Sequence, residues 1–185
     1  MATDYRLRPP VEGLISDDEI AILAEAAEGK LCLELGSYKG LSTIAMARTA
    51  LMVVNIDHFV GSGPTAVDSG EDTVAVFRAN LAKCGVSRKV VTIVMNLHDA
   101  DWARRFLRRG YDLAFVDGGH TFEQAASDGK LAWDLTRPGG TVIFHDYNPG
   151  FPGVIAAVDQ LAAKVGAAKC RLTGSRGDTS MMRLA

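Results

Sequence analysis

A chain of 185 residues has the length of one domain with a single hydrophobic core, and 48% of its residues are hydrophobic. This composition excludes an intrinsically disordered chain, which would be poorer in apolar residues. The 20 basic and 22 acidic residues are well mixed and leave a net charge of −2, so no basic stripe is present and we expect no nucleic-acid partner.

Local patterns predict an alternation of helices and strands along the chain. Ser16 and Glu19 have the spacing of a capping box, and Gly29 follows as a stop signal, which predicts a first helix between them. Beyond it, short apolar runs alternate with segments of helical periodicity. The predicted strands are residues 31–36, 51–57, 89–95, 111–117, 141–146, 169–173 and 179–184. The predicted helices between them are residues 41–49, 71–84, 101–109, 121–135 and 153–165.

This alternation predicts an α/β fold of the Rossmann-like, doubly wound kind, with a mostly parallel seven-stranded sheet. The last two strands are joined by a short turn at residues 174–178, which predicts an antiparallel C-terminal hairpin strand. We expect a single domain over residues 1–185, with an N-terminal extension and helix at 1–29 and the core at 30–185. The long loop at 58–70 is of a length typical both of functional lids and of disordered segments.

Signals for export or membrane insertion are not found in the sequence. Residues 1–12 contain no apolar stretch of the signal-peptide type, and no apolar run reaches the roughly eighteen residues of a membrane-spanning helix. The three cysteines, Cys32, Cys84 and Cys170, form no CxxC pair, which argues against a zinc site and a disulfide framework. These features predict a cytoplasmic protein with no membrane partner.

Residues that follow the predicted strands carry the chemical information, because doubly wound sheets bind ligands at the carboxyl ends of their strands. The loop at 34–42 has two glycines that allow a tight turn and a close approach of the backbone to a ligand, although its spacing is not that of a dinucleotide-binding GxGxxG loop. Asp57 ends the next strand about twenty residues later, where a carboxylate can bind both hydroxyls of a ribose. It could instead cap a turn. Together the two features predict an adenosine-type ligand.

Four motifs of this sequence resemble those of a known family. They are Glu-Leu-Gly-x3-Gly at 34–40, Asp57, Val-Asp-Gly-Gly-His at 116–120 and Arg-Pro-Gly-Gly-x4-His-Asp-Tyr at 137–147. Together they resemble the class I S-adenosylmethionine-dependent methyltransferases over residues 30–184. Within that class the sequence looks most like bacterial small-molecule O-methyltransferases related to macrocin O-methyltransferase, some of which depend on a metal.

The resemblance implies contacts with S-adenosylmethionine. Gly36, Ser37 and Gly40 would line its methionine part, Asp57 its ribose, and residues 96–97 its adenine. The complete predicted cofactor site comprises Glu34, Gly36, Ser37, Tyr38, Gly40, Ser42, Asp57, His58, Asn96, Leu97 and Asp117.

The resemblance also implies a divalent cation bound by Asp117, His145 and Asp146. This sequence departs from the family pattern at His145, where an acid is usual. Two carboxylates pointing into one cleft would repel each other, and a bound cation would relieve that repulsion. The oxygen-rich set favours magnesium, whereas a histidine ligand would allow manganese or iron.

His120 is the candidate general base, because an imidazole titrates near neutral pH and can accept a hydroxyl proton. Asp117 is the second candidate catalytic residue. Alternatively, His120 only orients the turn before Thr121, which can cap the next helix.

The expected partner is a small-molecule acceptor, methylated on a hydroxyl oxygen, and the sequence leaves a homodimer open. A nucleic-acid N-methyltransferase would carry an Asp/Asn-Pro-Pro-aromatic turn at residues 117–120. This chain has Asp-Gly-Gly-His there, which argues against that class of enzyme. A degenerate, non-catalytic cofactor-binding protein is the remaining alternative.

Overall fold

The structure is a computed structural model that describes residues 7–61, 72–96, 107–175 and 177–185. Within these ranges the α-helices are α1 (Asp17–Ala27), α2 (Leu41–Ala47), α3 (Thr73–Lys83), α4 (Phe122–Leu135) and α5 (Pro152–Val165). The strands are β1 (Leu31–Leu35), β2 (Met52–Asp57), β3 (Val90–Val94), β4 (Tyr111–Val116), β5 (Thr136–Phe144), β6 (Lys169–Gly174) and β7 (Gly177–Leu184). A short 3-10 helix, Ser87–Lys89, precedes β3. Most of the predicted helix at 101–109 and of the loop at 58–70 lies outside the described residues.

The seven strands form one sheet in the order β3-β2-β1-β4-β5-β7-β6. Strands β1 to β5 run parallel, whereas β7 is antiparallel to both β5 and β6. The predicted Rossmann-like fold and its antiparallel C-terminal hairpin are therefore confirmed.

Strand β5 begins at Thr136, five residues before the predicted start at Thr141. The sequence 137–140 contains a proline and two glycines, a composition that is typical of a turn. In the structure Thr136 pairs with Tyr111, and the register then shifts before Leu113 pairs with Thr141. Such an irregularity accommodates residues with poor strand propensity at the edge of a ladder.

The central strands β1, β2 and β4 are mostly buried on both faces, as expected for parallel strands covered by helices. Successive residues of a strand point to opposite faces, so Leu33 packs in the cluster of α4 and α5, while Cys32 packs in that of α1, α2 and α3. Cys32, Leu33 and Phe115 are fully buried. Each such apolar side chain contributes about 1.5–3 kcal/mol relative to an exposed one. Among the described helices, none is long and apolar enough to span a bilayer.

Strand register sets the position of the site. Leu35 pairs with Ile56 on one side and with Val116 on the other, and Val116 pairs with Phe144. The carboxyl ends of β1, β2, β4 and β5 therefore lie level at one edge of the sheet. The residues that follow these four strands are brought together there, as the sequence predicts.

Helix α1 begins at the predicted capping box. The Ser16 side chain accepts a hydrogen bond from the Glu19 backbone, and the Glu19 carboxylate accepts one from the Ser16 backbone at 2.9 Å. Buried Ile20 and Leu23 pack α1 against the core. Helix α1 therefore packs against the sheet.

Candidate active site

A cavity of about 340 Å³ opens at the carboxyl edge of the sheet. Most of the predicted site residues line it: Gly36, Ser37, Tyr38, Ser42, Asp57, His58, Asn96, Asp117, His120, His145 and Asp146. Glu34 and Gly40 do not line the cavity, and Leu97 lies outside the described residues. Gly13, Leu14 and Ile15 from the segment before α1 also line it, together with Phe151 before α5. The cavity therefore extends from the glycine loop to the candidate base.

The glycine loop needs its glycines for two separate reasons. Gly36 has φ of +88°, and a Cβ atom there would lie 2.2 Å from the Asp117 carbonyl oxygen. Gly40 has φ of +92°, and a Cβ atom there would lie 2.9 Å from the Phe77 ring. Both values of φ fall where side chains are disfavoured. Gly36 thus lets the loop after β1 lie directly against the chain after β4.

Asp57 connects the end of β2 to the glycine loop. Its Oδ2 accepts hydrogen bonds from the backbone N–H groups of Ser37 at 2.6 Å and Tyr38 at 2.9 Å, and its Oδ1 accepts one from Phe59 at 2.7 Å. The residue is only 8% exposed but still lines the cavity. The structure therefore assigns Asp57 a role in fixing the loop, and its predicted role as ribose ligand stays a prediction.

Glu34 is completely buried beneath this loop. Its Oε2 accepts hydrogen bonds from the Thr43 hydroxyl and, at 3.1 Å, from the Ser37 hydroxyl. Burial raises the pKa of the Glu34 carboxyl to about 7, even though these hydroxyl groups favour the charged form. Glu34 can act on a ligand in the cavity through Ser37, which it positions.

His120 and Asp146 form a hydrogen-bonded pair at the other end of the cavity. The distance from His120 Nε2 to Asp146 Oδ2 is 2.8 Å, and the His120 ring stacks on Phe151 with ring centroids 4.5 Å apart. The hydrogen bond to Asp146 raises the pKa of His120. Asp146 has φ of +57°, an unfavourable value for a residue that is not glycine, so packing must hold it in this conformation. The side chain of His120 remains 28% exposed, which leaves it accessible to a ligand.

His145 is surrounded by oxygen atoms. Its Nδ1 lies 3.3 Å from one carboxylate oxygen each of Asp117 and Asp146, while its Nε2 lies 3.4 Å from Glu19 Oε1 and 3.1 Å from Ser180 Oγ. Burial alone would lower the pKa of His145, but the three carboxylates outweigh it and raise the pKa far above the usual value. These neighbouring carboxylates favour the protonated form of the His145 ring.

The predicted metal set of Asp117, His145 and Asp146 stays a prediction. The structure places His145 Nδ1 3.3 Å from one carboxylate oxygen of each aspartate. Among the described residues, the atoms that could surround one ion belong to Asp117, His120 and Asp146, which lie within 4.8 Å of one another. His145 lies beside both aspartates, so a protonated ring would reduce the repulsion between them, as a bound cation would.

Glu19 and Ser180 contact His145, and the sequence interpretation misses both contacts. Glu19 Oε1 accepts hydrogen bonds from the Ser180 backbone at 3.1 Å and from its hydroxyl at 2.8 Å, across 161 residues of sequence. The only local signal at Glu19 is its capping-box spacing, which a helix start explains fully. A contact this distant in sequence leaves no pattern in a single chain.

The fold and this cavity define an α/β domain of the methyltransferase type. The chain belongs to the methyltransferase domain family, whose family model matches residues 33–147. The matched segment runs from β1 to the residues just after β5, so it contains the glycine loop, Asp57, His120 and Asp146. It does not contain α1 or β7.

Solved structures share the fold. An O-methyltransferase from Bacillus cereus, in complex with S-adenosylhomocysteine (SAH), is 18% identical, with a TM-score of 0.67 over 96% of this chain and 84% of that one. TomG from Streptomyces achromogenes, an O-methyltransferase in complex with SAM, is 19% identical, with a TM-score of 0.68 over 92% of this chain and 80% of that one. A putative O-methyltransferase from Klebsiella pneumoniae is 20% identical, with a TM-score of 0.63 over 96% of this chain and 82% of that one.

A sequence relative is an uncharacterised protein of Acanthamoeba polyphaga mimivirus, 23% identical over 153 residues. The match covers 74% of this chain and 61% of the relative, so the chain spans less than two thirds of the length of that protein. These likenesses establish the fold alone, because one fold can carry many different reactions.

Proposed function

We propose that this chain is an S-adenosylmethionine-dependent O-methyltransferase that acts on a hydroxyl group of a small molecule. The observation that carries the proposal is one continuous cavity, with the glycine loop at one end and the His120–Asp146 pair at the other. Such a cavity can hold a cofactor and an acceptor side by side. Methyl transfer requires mainly this placement, because alignment of the two reactants supplies much of the rate.

The glycine-loop end suits the cofactor. Gly36 and Ser37 of the glycine loop line the cavity together with Asp57 and Asn96. Two of the structural neighbours were solved in complex with SAH or SAM, which supports the same ligand for this chain. When bound, S-adenosylmethionine would supply a methyl group on a positively charged sulfur, so that attack of a nucleophile on the methyl carbon breaks the carbon–sulfur bond and releases SAH.

The His120 end suits the acceptor. Asp146 accepts the hydrogen bond of Nε2–H, which leaves Nδ1 as the ring atom that can accept a proton. As the acceptor oxygen bonds to the methyl group, its proton passes to Nδ1, and Asp146 stabilises the imidazolium that results. The stacked Phe151 ring fixes the plane of the imidazole.

A divalent cation, which the family resemblance implies, is the competing account of the acceptor end. In that account Asp117, His120 and Asp146 would hold the ion, and the ion would lower the pKa of the acceptor hydroxyl. The direct hydrogen bond between His120 and Asp146 favours the metal-free base.

The test is SAH formation from S-adenosylmethionine with a panel of hydroxylated small molecules, with and without excess EDTA. We expect turnover that persists in EDTA and is lost in His120→Asn, while that variant still binds SAH. Loss of turnover in EDTA, with recovery on adding magnesium or manganese, would replace the base with the metal account. SAH binding without turnover on a broad panel that includes amines would favour a non-catalytic cofactor-binding protein.

A further inference from the structure

The segment before α1 joins the two ends of the cavity. Gly13 packs against the start of α2, beside the glycine loop, where a Cβ atom on it would lie 2.6 Å from Leu41 Cβ. Farther along the chain, Glu19 lies 3.4 Å from His145 at the other end. The segment between these two contacts therefore passes the junction of the cofactor end and the acceptor end, and Leu14 of this segment lines the cavity.

Arg8 holds the backbone on both sides of Leu14. Its guanidinium donates hydrogen bonds to the carbonyl oxygen of Gly13 at 3.0 Å and to that of Ile15 at 2.9 Å. It donates a third, at 3.2 Å, to Asp17 Oδ1 in α1. The Ile15 side chain is buried and packs in the cluster of α1, α2 and α3. The backbone that carries Leu14 is thus fixed before and after it.

Leu14 itself is 68% exposed at the cavity. A single exposed leucine is ordinary on a protein surface. This one differs from an ordinary surface leucine because its backbone is fixed and because a second apolar group lines the same cavity. That group is Phe151, whose ring stacks on His120. A ligand that covers both apolar side chains gains the free energy of removing them from water.

The charges around the cavity disfavour one class of acceptor. Among the described residues that line it, four are aspartates and none is a lysine or an arginine. The aspartates are Asp57, Asp117, Asp128 and Asp146. Lysine and arginine are the side chains that pair with phosphate and carboxylate groups. An anionic acceptor would therefore meet like charges without such a partner, whereas an uncharged acceptor would not.

We propose that Leu14 is a specificity-determining residue of the acceptor site, and that the acceptor is an uncharged hydroxylated molecule whose apolar body lies against Leu14 and Phe151. The proposal rests on the proposed function, which supplies the reacting hydroxyl and the cofactor. Arg8 acts on the acceptor through Leu14 and is a positioning residue. Both Arg8 and Leu14 precede residues 33–147, the segment that the family model covers. The segment before α1 thus adds an acceptor preference to a shared methyltransferase core.

The experiment is a calorimetric titration of SAH-saturated protein with two phenols. The probes, 4-ethylphenol and 4-hydroxyphenylacetate, share the ring and the hydroxyl group and differ in charge. We expect the wild type to bind 4-ethylphenol about tenfold more tightly than the anion. Leu14→Ala should weaken binding of 4-ethylphenol about tenfold, equivalent to about 1.4 kcal/mol, while SAH affinity stays within about threefold of the wild type.

Leu51→Ala is the matched control. Leu51 is also 68% exposed, but it precedes β2 at the opposite edge of the sheet and does not line the cavity. Its replacement should change neither affinity.

Two further variants test the role of Arg8. Arg8→Ala should weaken binding of 4-ethylphenol, whereas Asp17→Asn should not, because it leaves the two carbonyl contacts of Arg8 in place. The double variant Arg8→Ala/Leu14→Ala should bind 4-ethylphenol no more weakly than Leu14→Ala does, because Arg8 acts through Leu14. Additive losses in the double variant would remove the positioning role of Arg8.

An unchanged affinity for 4-ethylphenol in Leu14→Ala, or an equal loss in Leu51→Ala, would overturn the assignment of Leu14. A loss of SAH affinity in Leu14→Ala would also overturn it, by moving the residue to the cofactor. A wild type that does not bind 4-ethylphenol, or binds both phenols equally, would overturn the uncharged apolar acceptor. The proposed function fails separately, because a wild-type chain that does not bind SAH contradicts it whatever the phenols do.

Discussion

Replacing Gly36 with alanine should damage both stability and cofactor binding. The added Cβ atom would lie 2.2 Å from the Asp117 carbonyl oxygen, well inside contact distance. Neither side can move freely, because the Gly36 N–H donates to the Ile56 carbonyl at 3.0 Å and the Asp117 N–H donates to the Leu35 carbonyl at 2.8 Å. The clash is therefore between two backbone segments that the sheet holds in place.

The magnitude has two parts. An alanine at φ of +88° costs about 1–2 kcal/mol in backbone conformation, and an overpacked contact of this kind costs about 1–3 kcal/mol more. Gly36→Ala should thus lower the free energy of unfolding by about 2–5 kcal/mol. Gly85 is a matched control, because its φ is +71° but no atom lies within 4 Å of the point that a Cβ would occupy. Gly85→Ala should cost only the conformational part, about 1–2 kcal/mol.

Urea unfolding followed by circular dichroism measures both variants, and a calorimetric titration with SAH measures binding. We expect Gly36→Ala to be the less stable variant and to bind SAH more weakly, while Gly85→Ala binds it as the wild type does. Equal losses of stability in the two variants, together with unchanged SAH affinity in Gly36→Ala, would refute the close approach of the glycine loop to Asp117.

Three further predictions concern titratable groups. The pKa of Glu34 is raised to about 7, so the folded state should lose up to about 3 kcal/mol as the pH rises from 4.5 to 7, and Glu34→Gln should abolish that loss in urea titrations. Burial opposes ionisation of Glu19, but His145 and the hydrogen bonds from Ser16 and Ser180 lower its pKa to about 2. Stability should therefore fall by up to about 3 kcal/mol between pH 4.5 and 2, and less in Glu19→Gln. Burial raises the pKa of the Cys32 thiol to about 12, so Ellman's reagent should label exposed Cys170 in native protein and reach Cys32 only after unfolding.

The parts of the molecule that are predictable from sequence depend on local patterns. Apolar runs and helical periodicity predict the alternating strands and helices, and the Ser16–Glu19 spacing predicts the start of α1. Register then follows from topology, since the ends of neighbouring parallel strands meet at one edge. This is why the predicted residues after β1, β2, β4 and β5 lie around one cavity.

The remaining features depend on contacts between distant residues. The carboxylates around His145 belong to Glu19, Asp117 and Asp146, which lie in three separate segments, whereas its position next to Asp146 in sequence indicates only a ligand role. The sequence interpretation of Asp57 depends on a ligand, whereas the folded chain already uses its carboxylate to bind backbone N–H groups. Neither arrangement has a signature in spacing or composition.

The most direct test of the central claim is a calorimetric titration of the purified wild-type chain with SAH, and separately with NAD. A cavity that holds the cofactor of methyl transfer should bind SAH with one molecule per chain and give no heat of binding with NAD. The absence of SAH binding, or equal binding of the two ligands, would contradict the assignment of this cavity to S-adenosylmethionine.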